Sequence, residues 1–167
     1  MPDYWLDADS FIVPHRGPYR FTVLPQFWEF LAQKAKEGII ASPQMVLEQE
    51  LSSNDPKRQD ELEKWAKQLK GVMFREPSEV VQASYREVVQ YVQGIPEYKP
   101  YEVAKFLAGA DPWVIAYAKA HGGRIVTFEI PQPQAKKPKI PDVAGHFNIH
   151  CLDVYDMLGE LKWCPVP

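Results

Sequence analysis

Short, continuous apolar runs alternate along this chain with stretches in which apolar residues recur every three or four positions. Tyr4-Trp5-Leu6, Ile39-Ile40-Ala41, the run from Arg124 to Phe128 and the run from Asn148 to Leu152 read as strands, the first two short enough and apolar enough to be covered on both faces. Between them the spacing is helical. Phe27, Phe30, Leu31 and Ala35 mark a helix that opens at Pro25 and ends near Glu37, with Gly38 as its stop. Ser42-Pro43 reads as an N-cap and first turn for a helix carrying Met45, Val46, Glu48, Glu50 and Leu51. Ser53-Asn54-Asp55-Pro56 breaks that helix and begins another, whose stripe of Leu62, Trp65, Ala66 and Leu69 ends at Gly71.

Further helices follow over Ser78 to Gln93 and Tyr101 to Ala108. Asp111-Pro112 then reads as an N-cap with proline in the first turn of a helix through Ile115 and Ala118, closed by Gly122-Gly123. Tyr155, Leu158 and Leu161 lie on an amphipathic helix near the end. Strands that alternate with helices predict an α/β domain of three layers, α/β/α, around a mainly parallel sheet of four to five strands. With 167 residues, 46% of them hydrophobic, residues 1–167 suit one domain. The Pro- and Lys-rich stretch from Pro131 to Pro141 reads as a functional loop.

Charge narrows the function. A net charge of -3 argues against bulk attraction to nucleic acid, yet two local basic groups could guide a phosphate backbone: Arg16 with Arg20, and Lys136, Lys137 and Lys139. Cys151 and Cys164 are the only cysteines, so reduced thiols are expected rather than a disulfide framework. No apolar stretch approaches the ~20 residues of a membrane span, and Met1-Pro2-Asp3 does not begin a secretory leader, which predicts a soluble, cytoplasmic protein.

Acidic residues cluster just past apolar runs: Asp7 with Asp9, Glu48 with Glu50, and Asp111. In open α/β sheets the active crevice lies outside the carboxyl ends of the strands, where Asp7 falls. Carboxylates that converge there repel one another unless a cation neutralises them, which points to Mg²⁺ or Mn²⁺. Two residues apart on a helix, Glu48 and Glu50 diverge by about 200°, so only one of them faces a given metal. His146 and His150 are four apart, but loop turning into strand separates them, which disfavours a zinc pair.

The ordered set of motifs resembles the PIN-domain family of metal-dependent ribonucleases, which includes the toxins of VapBC-type toxin-antitoxin modules. Leu6-Asp7-Ala8-Asp9-Ser10-Phe11-Ile12 resembles its opening strand and loop, and Ser42 followed by Glu48 and Glu50-Leu51 its second acidic element. Ala110-Asp111-Pro112-Trp113 through Ala118 resembles the third, and Gly123 through Glu129 the strand and fourth acid that follow. Within that family the chain is most similar to a PIN-like branch marked by Phe27-Trp28, Lys64-Trp65 and the run Lys139-Ile140-Pro141-Asp142-Val143. The resemblance implies hydrolysis of RNA phosphodiester bonds with Mg²⁺ or Mn²⁺ held by Asp7, Asp111 and Glu48 or Glu50. Glu48 is favoured by its distance from Ser42. Asp9 and Glu129 are implied as weaker ligands, and Ser10 and Thr127 as supports. A cognate antitoxin and a homodimer are implied partners.

Two other readings accompany this one. Asp7-Ala8-Asp9-Ser10 after a strand also fits a haloacid dehalogenase-like phosphatase, although Asp111-Pro112 then has no role. A noncatalytic PIN-like module that binds RNA or protein is the other, and it has no need of carboxylates that repel a phosphate backbone.

Overall fold

The computed structural model describes residues 1–55, 57 and 59–165. Its centre is a five-stranded sheet of order β3-β2-β1-β4-β5, formed by Tyr4–Leu6 (β1), Ile40–Pro43 (β2), Phe74–Arg75 (β3), Arg124–Val126 (β4) and Cys151–Leu152 (β5). Every pairing is parallel; Trp5 stands opposite Ala41 on one side and Ile125 on the other. A parallel sheet must be covered on both faces. The helices that cover it are Asp9–Arg16 (α1), Pro25–Lys36 (α2), Glu61–Gln68 (α3), Glu79–Gln93 (α4), Pro100–Ala108 (α5), Asp111–His121 (α6), Ile140–His146 (α7) and Val154–Glu160 (α8), with a π-helical segment at Val46–Leu51.

Helix α6 packs on β1, β2 and β4, with α4 behind it. Trp5 is fully buried toward this side, its ring centroid 5.0 Å from that of Tyr117. The opposite layer is an aromatic one. Phe21 stacks on Trp28 at 4.3 Å, Trp65 meets Trp28 edge-on at 5.0 Å, and Phe11 joins them through Phe74 at 5.5 Å and Trp65 at 6.0 Å, so α1, α2 and α3 share one core. Burial of such rings is the largest favourable contribution available to a domain of this size. The three-layer α/β/α arrangement expected from the alternation of patterns is the one observed, with five strands. Among the described residues, no helix is long and apolar enough to cross a membrane.

Several local expectations are corrected. Ser42 is no N-cap: it ends inside β2, and its hydroxyl donates to the carbonyl of Leu6 at 2.7 Å, tying the second strand to the tip of the first. Residues 9–16, partly read as loop, form α1 despite Pro14, because Gly17 rather than the proline ends the helix. Strand β3 was not anticipated; Met73-Phe74 is too short a run to stand out from the helix before it. Residues 140–146 are helical, so the Pro- and Lys-rich loop stops at Lys139 and the last strand shrinks to two residues. The helix after the Ser53–Pro56 break starts only at Glu61, capped by Asp60, and Pro56 itself lies outside the described residues. Gly123 has a structural reason to be glycine: at φ 94°, a Cβ there would stand 2.8 Å from the carbonyl of Pro2.

An acidic cleft at the switch point of the sheet

The strand order reverses direction between β1 and β4, and in parallel sheets the crevice opens at the carboxyl ends on either side of such a reversal. Asp7 follows β1 there and Thr127 follows β4. Asp7 is only 3% exposed. Its Oδ1 accepts from the Ser10 amide at 3.0 Å and the Ser10 hydroxyl at 2.7 Å, and its Oδ2 accepts from the Thr127 hydroxyl at 2.6 Å. The Glu129 amide in turn donates to Thr127 Oγ1 at 3.1 Å. Two donors fill Oδ1, whereas Oδ2 accepts one and keeps a lone pair; Asp7 itself lies beneath the acidic cleft rather than among its lining residues. Ser10 Oγ also lies 2.8 Å from the Val126 carbonyl, so its one proton has two acceptors to choose between.

Asp111 is the first residue of α6; Ala110 occupies the N-cap position and makes no side-chain capping bond. The capping role expected of Asp111 is therefore absent, and among the described residues nothing donates a hydrogen bond to its carboxylate. Burial, then the charges of Glu129, Asp7, Glu50 and Asp9, push its pKa up to about 7. Burial likewise raises Asp7 to about 6, against the pull of its Thr127 and Ser10 hydrogen bonds. These are the signatures of a carboxylate group short of positive charge.

A cleft of about 260 Å³ holds Asp111, Glu50 and Glu129 on its walls, with Glu102, and carries Lys105, Lys137 and Lys139 as its cationic side. Glu50 Oε1 reaches within 3.9 Å of where a side chain on Gly109 would begin. Glu48, favoured from its distance to Ser42, is exposed and accepts a hydrogen bond from Gln44 Nε2; it is not among the lining residues. The reason is the π-helical segment: its hydrogen bonds span five residues instead of four, so a face comes round one residue later than in an α-helix. Val46 and Leu51, five apart, are both buried by the same geometry. Asp9, in the first turn of α1, is exposed and acts on Asp7 and Asp111 through its charge.

Glu129 has a second task. Its Oε2 accepts from the amide of Ile140 at 2.8 Å, closing the loop that carries Lys137 and Lys139. Lys136 is exposed; its carbonyl accepts from the Lys99 amide at 2.9 Å, but it does not line the cleft. Arg16 lines a furrow that also contains Glu50 and His15, which places it on the far side of Glu50 from the lysines. Arg20 is spent locally on the Gly17 carbonyl at 3.2 Å. Sequence reasoning missed Lys105, which stands on α5 with nothing in its own pattern to aim it. Trp113 has one face covered by Tyr85, stacked on it at 3.9 Å. His146 stacks on Tyr91 and His150 is exposed beyond α7, so they do not form one helical pair. Both cysteines are free.

Among the described residues, no group of three His, Cys, Asp or Glu side chains is close enough as it stands to hold a metal ion. The donor set nonetheless fits a hard divalent cation: it is all carboxylate oxygen, and Asp111 has no hydrogen-bond donor beside it. Like charges without a counterion repel one another, and the Glu50 side chain is exposed.

A family model describing a domain of unknown function, DUF4411, matches residues 4–164, and the chain belongs to that family. No curated protein and no solved structure matches it.

Proposed function

We propose that this member of the DUF4411 family is a Mg²⁺- or Mn²⁺-dependent endoribonuclease of PIN-like type. The observation that carries the reading is Asp111: a half-buried carboxylate without a hydrogen-bond donor, raised to about 7 by its burial and then by four other acids, beside the switch point of a parallel sheet. A structural acid would be capped or paired. This one is held ready for a cation.

In this reading Asp7, Asp111 and Glu50 hold the ion, and Glu129 and Asp9 supply further negative charge. A divalent cation, when bound, supplies Lewis acidity toward a phosphodiester and lowers the pKa of water. The chain's own groups do the remaining work. Ser10 and Thr127 fix the orientation of the Asp7 carboxylate. Lys105, Lys137 and Lys139 balance the charge of a bound phosphate, and Glu129 holds the loop that presents the last two. Water adds across a P–O bond, leaving a phosphomonoester on one product and a hydroxyl on the other. Asp7 and Asp111 gain their charge as pH rises through about 6 and about 7, so activity rises with pH across that range.

The test is cleavage of labelled structured RNAs in Mn²⁺ or Mg²⁺, against EDTA and against Asp7→Asn and Asp111→Asn. Cleavage that survives either substitution overturns the proposal. Release of phosphate from a phosphomonoester, dependent on Asp7 but not on Asp111, would replace it with the phosphatase reading. RNA binding that strengthens in both variants, with no cleavage by the wild type, would replace it with a binding module. The toxin role rests on the sequence resemblance; its mark is growth arrest on expression, relieved by Asp111→Asn.

A further inference from the structure

Beside the acidic cleft, and sharing the wall made by Glu129, lies a second cavity of about 300 Å³ at the carboxyl ends of β4 and β5. Its walls mix polar and apolar groups, with Phe128, Ile130, Pro141 and Ile149 among the apolar ones. Thr127, Glu129, His150 and Asp153 are its polar members. Ile130, on its rim, is 67% exposed and so is reachable by a ligand. Among the described residues no lysine or arginine lines this cavity, and two carboxylates do, which disfavours a phosphate there. The neighbouring cleft, with three lysines, accepts one.

We propose that this second cavity is a nucleobase subsite, which receives the unpaired base of the nucleotide next to the scissile phosphate. The inference rests on the nuclease reading and extends it to the substrate. An uncharged, planar group with an apolar face and a hydrogen-bonding edge matches the walls; a base lies one sugar away from its phosphate, as this cavity lies one side chain away from the cleft. Phe128 offers an aromatic ring, packed edge-on with Tyr155 at 5.6 Å. Asp153 caps α8 through Oδ1, which accepts the Asp156 amide at 2.8 Å, and so is held in place with Oδ2 left to accept from a base N–H. The cavity demands a splayed-out base, which a duplex cannot offer. The substrate is therefore single-stranded at the cut.

The experiment has two arms on the intact chain. First, the isotope-labelled wild type is titrated by NMR with the four ribonucleosides and with ribose 5-phosphate. Saturable shifts of the Ile130 and Ile149 methyls with at least one nucleoside, and none with ribose 5-phosphate, are expected. Silence of those methyls with all four nucleosides overturns the subsite, as does their response to ribose 5-phosphate alone. Second, single-stranded RNA is cut with and without an abasic residue beside the scissile bond, and by the surface variant Ile130→Ser and by Phe128→Ala. Loss of the base or of Phe128 should raise KM about tenfold with kcat nearly unchanged, the scale of one base–aromatic stack. Equal cutting of abasic and intact RNA overturns the subsite while leaving the nuclease standing. Nucleoside binding by a protein that cuts no RNA would leave the subsite standing and remove the nuclease.

Discussion

Glu160 and Asp111 sit at opposite ends of the same sheet and are treated in opposite ways. At the amino-terminal edge, Tyr4 begins β1 and Arg124 begins β4, and both reach Glu160 of α8: the Tyr4 hydroxyl donates to Oε2 at 2.6 Å and the Arg124 guanidinium to both carboxylate oxygens. Those hydrogen bonds hold Glu160 down to about 2. At the carboxyl edge Asp7 and Asp111 stand at about 6 and about 7, beside two glutamates and without an arginine. One end spends its acid on fastening a helix. The other leaves acids short of charge in a solvent-open cleft, an arrangement that costs stability and is retained by proteins mainly where chemistry or a ligand needs it.

The sharpest way to break this contrast is to remove the frustrated acids. Asp7→Asn and Asp111→Asn should each lower RNA cleavage by on the order of 10³-fold or more, the loss of several kcal/mol of metal-borne stabilisation. Next is the identity of the second acid. Glu50→Gln should cost ~10²-fold in kcat, whereas Glu48→Gln, whose side chain bonds Gln44, should stay within about threefold; the reverse ranking would place the metal on the other face of the π-helical segment.

Stability against pH separates the two ends in a third way. Asp7 and Asp111 bind protons more tightly folded than unfolded, so their contribution to stability is complete below about pH 4 and is lost as pH rises through about 6 and about 7. Glu160 has the opposite sign: its contribution holds above the ordinary glutamate range and disappears as pH falls toward 2. In EDTA at pH 7.5, Asp111→Asn should therefore raise Tm by roughly 3–6 °C, although the same variant loses cleavage when metal is present. Mn²⁺ should raise the Tm of the wild type and not that of the variant, a result readable by calorimetry even if no RNA substrate is found.

Glu129 allows a finer division. Glu129→Gln keeps an acceptor for the Ile140 amide, so the lysine loop stays closed while the cleft loses a charge; Glu129→Ala loses both. We expect Gln to reduce kcat alone and Ala to raise KM as well. The smallest effect belongs to the other edge: Glu160→Gln should leave cleavage unchanged and lower Tm only slightly, less so at high salt, as befits an exposed ion pair.

The alternation of apolar runs with helical stripes was enough to predict the α/β class, the parallel sheet and most helices, because burial on both faces of a strand and on one face of a helix writes a period directly into the residues. Asp7 and Asp111 were legible for a related reason: each lies at the junction of two patterns, where a strand ends or a helix starts. What the sequence left open was decided by contacts distant along the chain. Strand β3 exists because Phe74 pairs beside Ser42, and two residues carry no period of their own. Ser42 becomes part of β2 because the Leu6 carbonyl claims its hydroxyl. Glu50 rather than Glu48 faces the cleft because a π-helical turn shifts the register, a choice visible only in three dimensions. The pKa values of the acids belong to this second class, since they arise from burial and from charges that converge from α1, α6, the π-helical segment and the loop after β4.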